Sequence, residues 1–179
     1  MRIYTAKGDS GATDLLGERV GKDDPRIGLI GALDESTSAI GLGRAHATIP
    51  EWQELLIQAQ KDLYQIMAEL AFVDELRPNA YRLPRERTEW LEASIADVEA
   101  TVELPPQFVL PGDTVAGAAL DVARAVVRRA ERISVALDHA EQLPNPEILR
   151  YLNRLSSLLF IVARAEDLAS ASGPRLAKS

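Results

Sequence analysis

The sequence predicts an all-α protein: a five-helix up-and-down bundle preceded by a glycine-rich N-terminal loop. Three observations carry that expectation. Apolar residues recur at three- and four-residue steps along five long segments. Aromatic residues make up only 5% of the chain while Ala, Leu, Glu and Arg abound, which favours close helix packing over sheets. Prolines and capping residues stand where those segments begin and end.

Residues 1–25 differ from the rest, with Gly8, Gly11, Gly17 and Gly21 set among Asp and Thr and Pro25 closing the segment. Glycine and short polar side chains favour turns over regular helix. Ile3, Tyr4, Leu15 and Leu16 are expected to anchor this loop to the core. The first helix follows Pro25, with Ile27, Ile30, Leu33, Thr37, Ile40 and Arg44 at helical steps, and stops before Pro50. A second runs from about Trp52 to Val73 on a stripe of Leu56, Ala59, Leu63, Ile66, Met67 and Leu70. Arg77-Pro78-Asn79 breaks the pattern. Pro84 opens a third helix carrying Trp90, Leu91, Ile95 and Val98.

A proline-rich connection, Leu104 to Gly112, leads to Thr114, which can cap a fourth helix reaching about Leu137. Asn145 caps a fifth, with Pro146 at its first position and Leu149, Leu152, Leu155, Leu159 and Ala163 along one face. Gly173-Pro174 ends it. With no convincing strand and no linker, residues 1–179 read as a single domain: loop 1–25, bundle 26–172, and polar tail 173–179.

Composition narrows the function. A net charge of −7 disfavours general binding to nucleic acid, although a single anion needs only local cations. No cysteine is present, so disulfides and thiolate metal sites are excluded, as fits a reducing cytoplasm. Met1 to Thr5 lacks a signal-peptide core, and no apolar run is long enough to span a membrane. A cytoplasmic protein is expected.

The usual nucleophiles and metal motifs are missing. His46 and His139 fall near helix ends, where a solvated histidine is expected, and neither HExxH nor a paired Glu-x-x-His occurs. An enzyme built this way must position and neutralise its reactants. The fourth helix has the means, because Arg124, Arg128 and Arg132 lie at i, i+4 and i+8 on one face. Ala119, Ala123, Val126, Ala130 and Ile133 form its apolar face, with Leu120 and Val127 at the margin. Arg129 and Glu131 flank the arginines, so an Arg128–Glu131 pair on a merely solvated face is the competing reading. Arginine suits bidentate contact with phosphate. Thr5 to Thr13, with Lys7 and the nearby Lys22, can add an anion-binding loop, although the Walker A pattern is absent. Asp34-Glu35 sits among small and apolar neighbours, where a buried carboxylate would need a partner such as Arg124. Asn153 and Arg154 interrupt the leucine stripe of the fifth helix, and Asn153 reads as either a core amide or a ligand contact.

Together these segments resemble the PduO-type corrinoid adenosyltransferases. The matching stretches run in order from Ile3-Tyr4-Thr5 through Gly8-Asp9-Ser10-Gly11, Lys22 to Arg26, and Gly31 to Gly41. They continue with Phe108 to Gly112, Arg124 to Arg132, and Tyr151 to Ser156. The resemblance implies a homotrimer with ATP held between subunits. Thr5, Ala6, Lys7, Gly8, Thr13 and Lys22 would bind the triphosphate from one side. Arg128, Glu131, Arg132 and Asn153 would bind ATP from the other, with Arg128 and Arg132 promoting departure of triphosphate. Asp34 and Arg124 resemble the family's salt bridge shaping the corrinoid site. Phe108 resembles the residue that packs beneath the corrin and excludes the lower axial ligand. Mg²⁺ would arrive with the ATP, and no protein metal site is implied.

By the same resemblance the reaction moves the 5′-deoxyadenosyl group of ATP to the Co(I) of cob(I)alamin. It also implies a supply of reduced cobalt from a reductase and a B12-dependent acceptor of the product. Departures from the family pattern fall at Ala6, Gly21, Ser36-Thr37, Asp113 and Ser157. Two other readings are a non-catalytic ATP- or corrinoid-binding carrier or sensor, and a structural bundle whose arginines bind an acidic partner.

Overall fold

A computed structural model describes residues 4–170 and 175–177. Five long helices form: α1 (Pro25–His46), α2 (Pro50–Ala71), α3 (Arg85–Glu99), α4 (Val115–His139) and α5 (Pro146–Ala169). Their starts follow local chemistry. Asp24 accepts from the Arg26 N–H, Thr114 from that of Gly117, and Asn145 from that of Glu147, each satisfying a backbone donor that the first turn leaves open. Pro25, Pro50 and Pro146 occupy first helical positions, where a missing N–H costs nothing. Between α2 and α3, where Arg77-Pro78-Asn79 breaks the pattern, two short 3₁₀ turns form at Asp74–Leu76 and Asn79–Tyr81.

α4 packs against α1 on one side and α5 on the other; α2 lies on α1, and α3 on α5. Cross-helix pairs give the directions. Glu35 meets Arg129 and Asp121 meets Arg164, so α4 runs antiparallel to both neighbours. Thr88 reaches Glu147 and Glu92 reaches Arg154, so α3 and α5 run parallel, as an up-and-down order requires. Leu29, Leu33, Leu56, Leu63, Leu120, Val127 and Leu155 are fully buried in the shared core. Each such side chain contributes about 1.5–3 kcal/mol when withdrawn from water. α1 and α4 approach closely at Gly43, where a Cβ would lie 2.6 Å from Leu120 Cδ2.

Several stripes sit about one position away from their sequence reading. On α1 the buried set is Leu29, Ala32, Leu33, Ser36, Ile40 and Gly43, and Thr37 and Arg44 are only half-buried. Leu120 and Val127 stand at the centre of the α4 interface, not at its margin. Small residues let two helix backbones come close, so a face rich in Gly, Ala and Ser buries without a strong hydrophobic signal.

The N-terminal loop also departs from expectation. It holds a small antiparallel hairpin, β1 (Ala12–Asp14) and β2 (Arg19–Gly21), with Thr13 opposite Val20. Its anchor is backbone: Leu16 donates to the Ala71 carbonyl at 2.8 Å and accepts from the Val73 N–H at 3.1 Å. Tyr4 and Leu16 side chains remain exposed, and Ile3 lies outside the described residues. At the other end, Leu110 donates to the Arg175 carbonyl and Ala177 donates to that of Phe108, both at 2.8 Å. This part of the expected tail is strapped to the Phe108 connection, whereas Gly173 and Pro174 lie outside the described residues.

Candidate active site

α4 turns its arginines outward in sequence. Arg124 is half-buried, while Arg128, Arg129 and Arg132 are exposed. Their partners differ. Arg129 is paired with Glu35 across the α1–α4 seam. Arg124 lies 3.6 Å from Asp121 one turn earlier. Arg128 and Arg132 have no carboxylate partner among the described residues, so the Arg128–Glu131 pair of the solvated-face reading does not form. Glu131 instead accepts from Asn153 Nδ2 at 2.8 Å, and Asn153 Oδ1 accepts from Arg154 at 2.8 Å. Two cations therefore stand beside a carboxylate and an amide already oriented by each other.

Two expectations are corrected here. Asp34 and Glu35 are exposed and do not lie on a core-facing stripe, because α1 rolls its Ala32–Leu33–Ser36 edge inward. Asp34 accordingly does not pair with Arg124 within the chain; Asp121, on the same helix as Arg124, takes that place. Of the two readings left open for Asn153, the core amide is excluded, because the residue is exposed. His46 and His139 are exposed at the ends of α1 and α4, as read.

The loop is organised around Lys7, Gly8 and Lys22. Lys22 donates its N–H to the Gly11 carbonyl at 2.8 Å, and its Nζ lies 3.0 Å from where a Cβ on Gly8 would sit. A side chain at Gly8 would displace that ammonium. Ala6 adopts φ 59°, a left-handed conformation unusual for a residue with a Cβ, and Gly11 is at φ 79°. Thr5 and Lys7 are exposed, and Thr13 is half-buried in the hairpin.

Arg19, which the sequence reading passed over, and Arg26 hold this geometry. Arg19 clamps the loop, donating to the Lys7 carbonyl and to Asp14, both at 2.6 Å. Arg26 donates to Glu18 at 2.6 Å. Partial burial alone would lower its pKa, but the bonds to Glu18 and Asp24 outweigh it and raise the pKa above the ordinary arginine value.

Phe108 is 88% exposed on the proline-rich connection and forms one wall of a cavity of about 480 Å³. Pro105, Pro106 and Phe160 supply further apolar wall, and Arg124 and Arg164 bring charge to it. Phe108 and Arg124 are thus brought together. Glu131 and Asn153 are brought together, as are Gly8 and Lys22. Among the described residues, no hydrogen bond or ion pair joins the N-terminal loop to the arginines of α4.

Outward guanidiniums without counter-ions cost nothing in solvent and are available to a ligand, while the exposed phenylalanine awaits an apolar one. The fold and site define a helical bundle that presents exposed guanidiniums on one helix face and an exposed aromatic ring at a neighbouring cavity. Residues 3–166 match the cobalamin adenosyltransferase family, and the chain belongs to it.

The corrinoid adenosyltransferase of Bacillus subtilis is 37% identical over 177 residues, spanning 97% of this chain and 90% of the relative. The corrinoid adenosyltransferase PduO of Citrobacter freundii is 40% identical over 169 residues, and there the chain spans 50% of the relative's length. Among solved structures, a variant PduO-type ATP:corrinoid adenosyltransferase from Lactobacillus reuteri, complexed with cobalamin and ATP, superposes with a TM-score of 0.90. It is 32% identical, and the match covers 99% of this chain and 100% of that one. A second variant of that enzyme, complexed with ATP, gives a TM-score of 0.88 at 31% identity. No helix among the described residues is long and apolar enough to cross a membrane.

Proposed function

We propose that this protein transfers the 5′-deoxyadenosyl group of ATP to the Co(I) of a reduced corrinoid, releasing adenosylcobalamin and triphosphate. The observation that carries this reading is the pair Arg128 and Arg132, solvent-facing and without carboxylate partners among the described residues, in a chain of this family. The reaction forms a cobalt–carbon bond and breaks the bond from C5′ to the triphosphate oxygen, so the electron pair and negative charge leave with the phosphate. Co(I) is the nucleophile and belongs to the substrate. What remains for the protein is to align the two reactants and stabilise the leaving charge, and fixed guanidiniums suit that task.

In this reading Thr5, Ala6, Lys7, Gly8, Thr13 and Lys22 hold the triphosphate, and Arg128, Glu131, Arg132 and Asn153 hold ATP from the opposite side. Mg²⁺ would arrive with the ATP and neutralise part of the phosphate charge, held through the phosphates that these residues bind. Phe108 packs under the corrin, keeping water and the lower axial ligand away from the cobalt. We place the two halves of the site on neighbouring subunits of a homotrimer. Within one chain the loop stands beyond the start of α1 at Pro25, whereas Arg129, next to Arg128, is opposite Glu35. That separation along the axis is about 15 Å at the helical rise. Asp34 and Arg124 both reach the surface, so their pairing belongs to the same subunit boundary. The whole chain, 1–179, is read as one such unit acting in the cytoplasm, served by a cobalt reductase and delivering to a B12-dependent enzyme.

The test is an anaerobic assay following cob(I)alamin absorbance with MgATP and a strong reductant. Adenosylcobalamin and triphosphate should appear in equal amounts. Well-folded protein that binds both ligands without turnover would make it a carrier or sensor instead.

A further inference from the structure

Behind the Phe108 cavity lies a chain of buried charges that the adenosyl transfer itself does not call for. Arg164 Nη2 donates to Asp121 Oδ2 at 2.5 Å and lies 2.8 Å from Asp167 Oδ2. The side chains of Arg164, Asp121 and Asp167 are 3%, 7% and 2% exposed. Asp121 faces a second guanidinium, with its Oδ1 3.6 Å from Arg124 Nε. Asp167 turns its other oxygen to the start of α4, accepting from the Thr114 N–H at 3.1 Å and the Thr114 hydroxyl at 2.8 Å. Gly117 makes this approach possible, since a Cβ there would stand 2.1 Å from Asp167 Oδ1.

The series Arg124–Asp121–Arg164–Asp167–Thr114 alternates in sign from its first member to its fourth. Two carboxylates balance two guanidiniums, which is the condition under which buried charge is tolerated. Its ends are functionally placed. Arg124 belongs to the arginine face of α4, and Thr114 closes the connection that presents Phe108. Arg164 also lies 5.4 Å from the Phe160 ring, the aromatic wall opposite that connection. Arg128 and Arg132, one and two turns further along α4, take no part in the series.

We infer that Asp121 and Arg164 are positioning residues for the corrinoid half of the site, setting Arg124 and the Phe108 connection at one fixed spacing and leaving ATP binding alone. This rests on the function proposed above. Such a bridge differs from generic packing in its consequence. Loss of core packing weakens both ligands together, whereas loss of the bridge loosens only the cavity that it spans, and small misplacements are costly where reactants must align.

The experiment compares wild-type chain with Asp121→Asn, which keeps shape and removes charge, and with Arg164→Gln and Arg164→Lys. Cobalamin and MgATP affinities are titrated calorimetrically, and KM for each is measured in the anaerobic assay. Asp121→Asn and Arg164→Gln should raise the cobalamin Kd and KM about tenfold while those for ATP stay within about twofold. Arg164→Lys, which restores a cation between the two carboxylates, should recover part of the loss. Equal weakening of both ligands, or no change in either, overturns the inference. Should Asp121→Asn not fold, the contrast between Gln and Lys at position 164 decides it. Wild-type protein that binds cobalamin but does not turn over refutes the proposed activity and leaves this affinity split measurable. Wild-type protein that binds no cobalamin overturns both.

Discussion

At the junction of α2, α3 and α5, Arg87 lays its guanidinium across Asp62, with Nη2 2.7 Å and Nε 3.0 Å from the two carboxylate oxygens. Tyr151 donates to the same carboxylate at 2.7 Å and Gln58 at 2.9 Å, and the Arg87 guanidinium stacks 4.3 Å above the Trp90 ring. Across the molecule α4 carries its own arginines, yet Arg128 and Arg132 meet no carboxylate among the described residues. The same side chain does opposite work in the two places. Where arginine is enclosed, the fold supplies a counter-ion, because an uncompensated buried charge is costly. Where it faces solvent, water satisfies it until a ligand arrives, and the fold loses nothing by leaving it unpaired.

This contrast can be broken most sharply at Arg128. Arg128→Ala should reduce turnover about a hundredfold or more, since it removes a preorganised donor to a departing anion. Circular dichroism and Tm should stay at wild-type values. A variant of wild-type activity would remove Arg128 from the site, and one that melts early would assign it to the fold.

The reverse is expected at Arg87. Arg87→Ala leaves Asp62 buried without its counter-ion, a cost of about 3 kcal/mol, or about 6–12 °C in Tm for a chain of this size. Activity per folded molecule should remain near wild type. A thermal melt beside a single-temperature assay separates the two quantities, and an unchanged Tm would show that the pair is not holding the bundle.

The smallest effect sharpens the enclosed side alone. Burial, joined by the charge of Asp62 and the bond to it, raises the Tyr151 pKa well above the ordinary phenol value, against a lesser opposing effect from Arg87. A group whose folded pKa is raised binds its proton more tightly in the native state. Its contribution is therefore complete below the unfolded value, about 10, and is lost as pH climbs above it. Stability measured by urea unfolding should fall as the pH passes about 10. Tyr151→Phe should be slightly less stable at neutral pH and show a shallower fall. An identical alkaline slope in both proteins would mean that Tyr151 does not carry it.

The Phe108 connection stands between these extremes. Its backbone is strapped by residues 175–177, and Asp113 accepts from the Arg175 N–H at 3.1 Å, while the phenylalanine ring stays in solvent. A well-held backbone presenting an exposed ring is an arrangement for binding, since a ring left only to fraying chain would lose contact area to motion.

Much of the architecture was legible in sequence because it depends on neighbours in the chain. Thr114 and Asn145 mark helix starts through bonds to residues two or three positions away, and Pro25 and Pro146 through their fixed φ at the first position, and the starts of α1, α4 and α5 fall there. The outward row Arg124–Arg128–Arg132 follows from helical period alone, and the loop character of residues 4–11 from its glycines and short polar side chains. What tertiary structure decided is which way each helix rolls and which distant charges meet. Asp34 faces solvent because the Ala-, Ser- and Gly-containing edge of α1 packs closely enough on α4 to take the interior, a preference that hydrophobic period does not weight. Arg164 meets Asp121 across 43 positions of sequence only because α4 and α5 run antiparallel at that height. Helical spacing places a residue on a face to within about one position, but pairing two buried charges requires both helices to be in register, and only the packed core sets that.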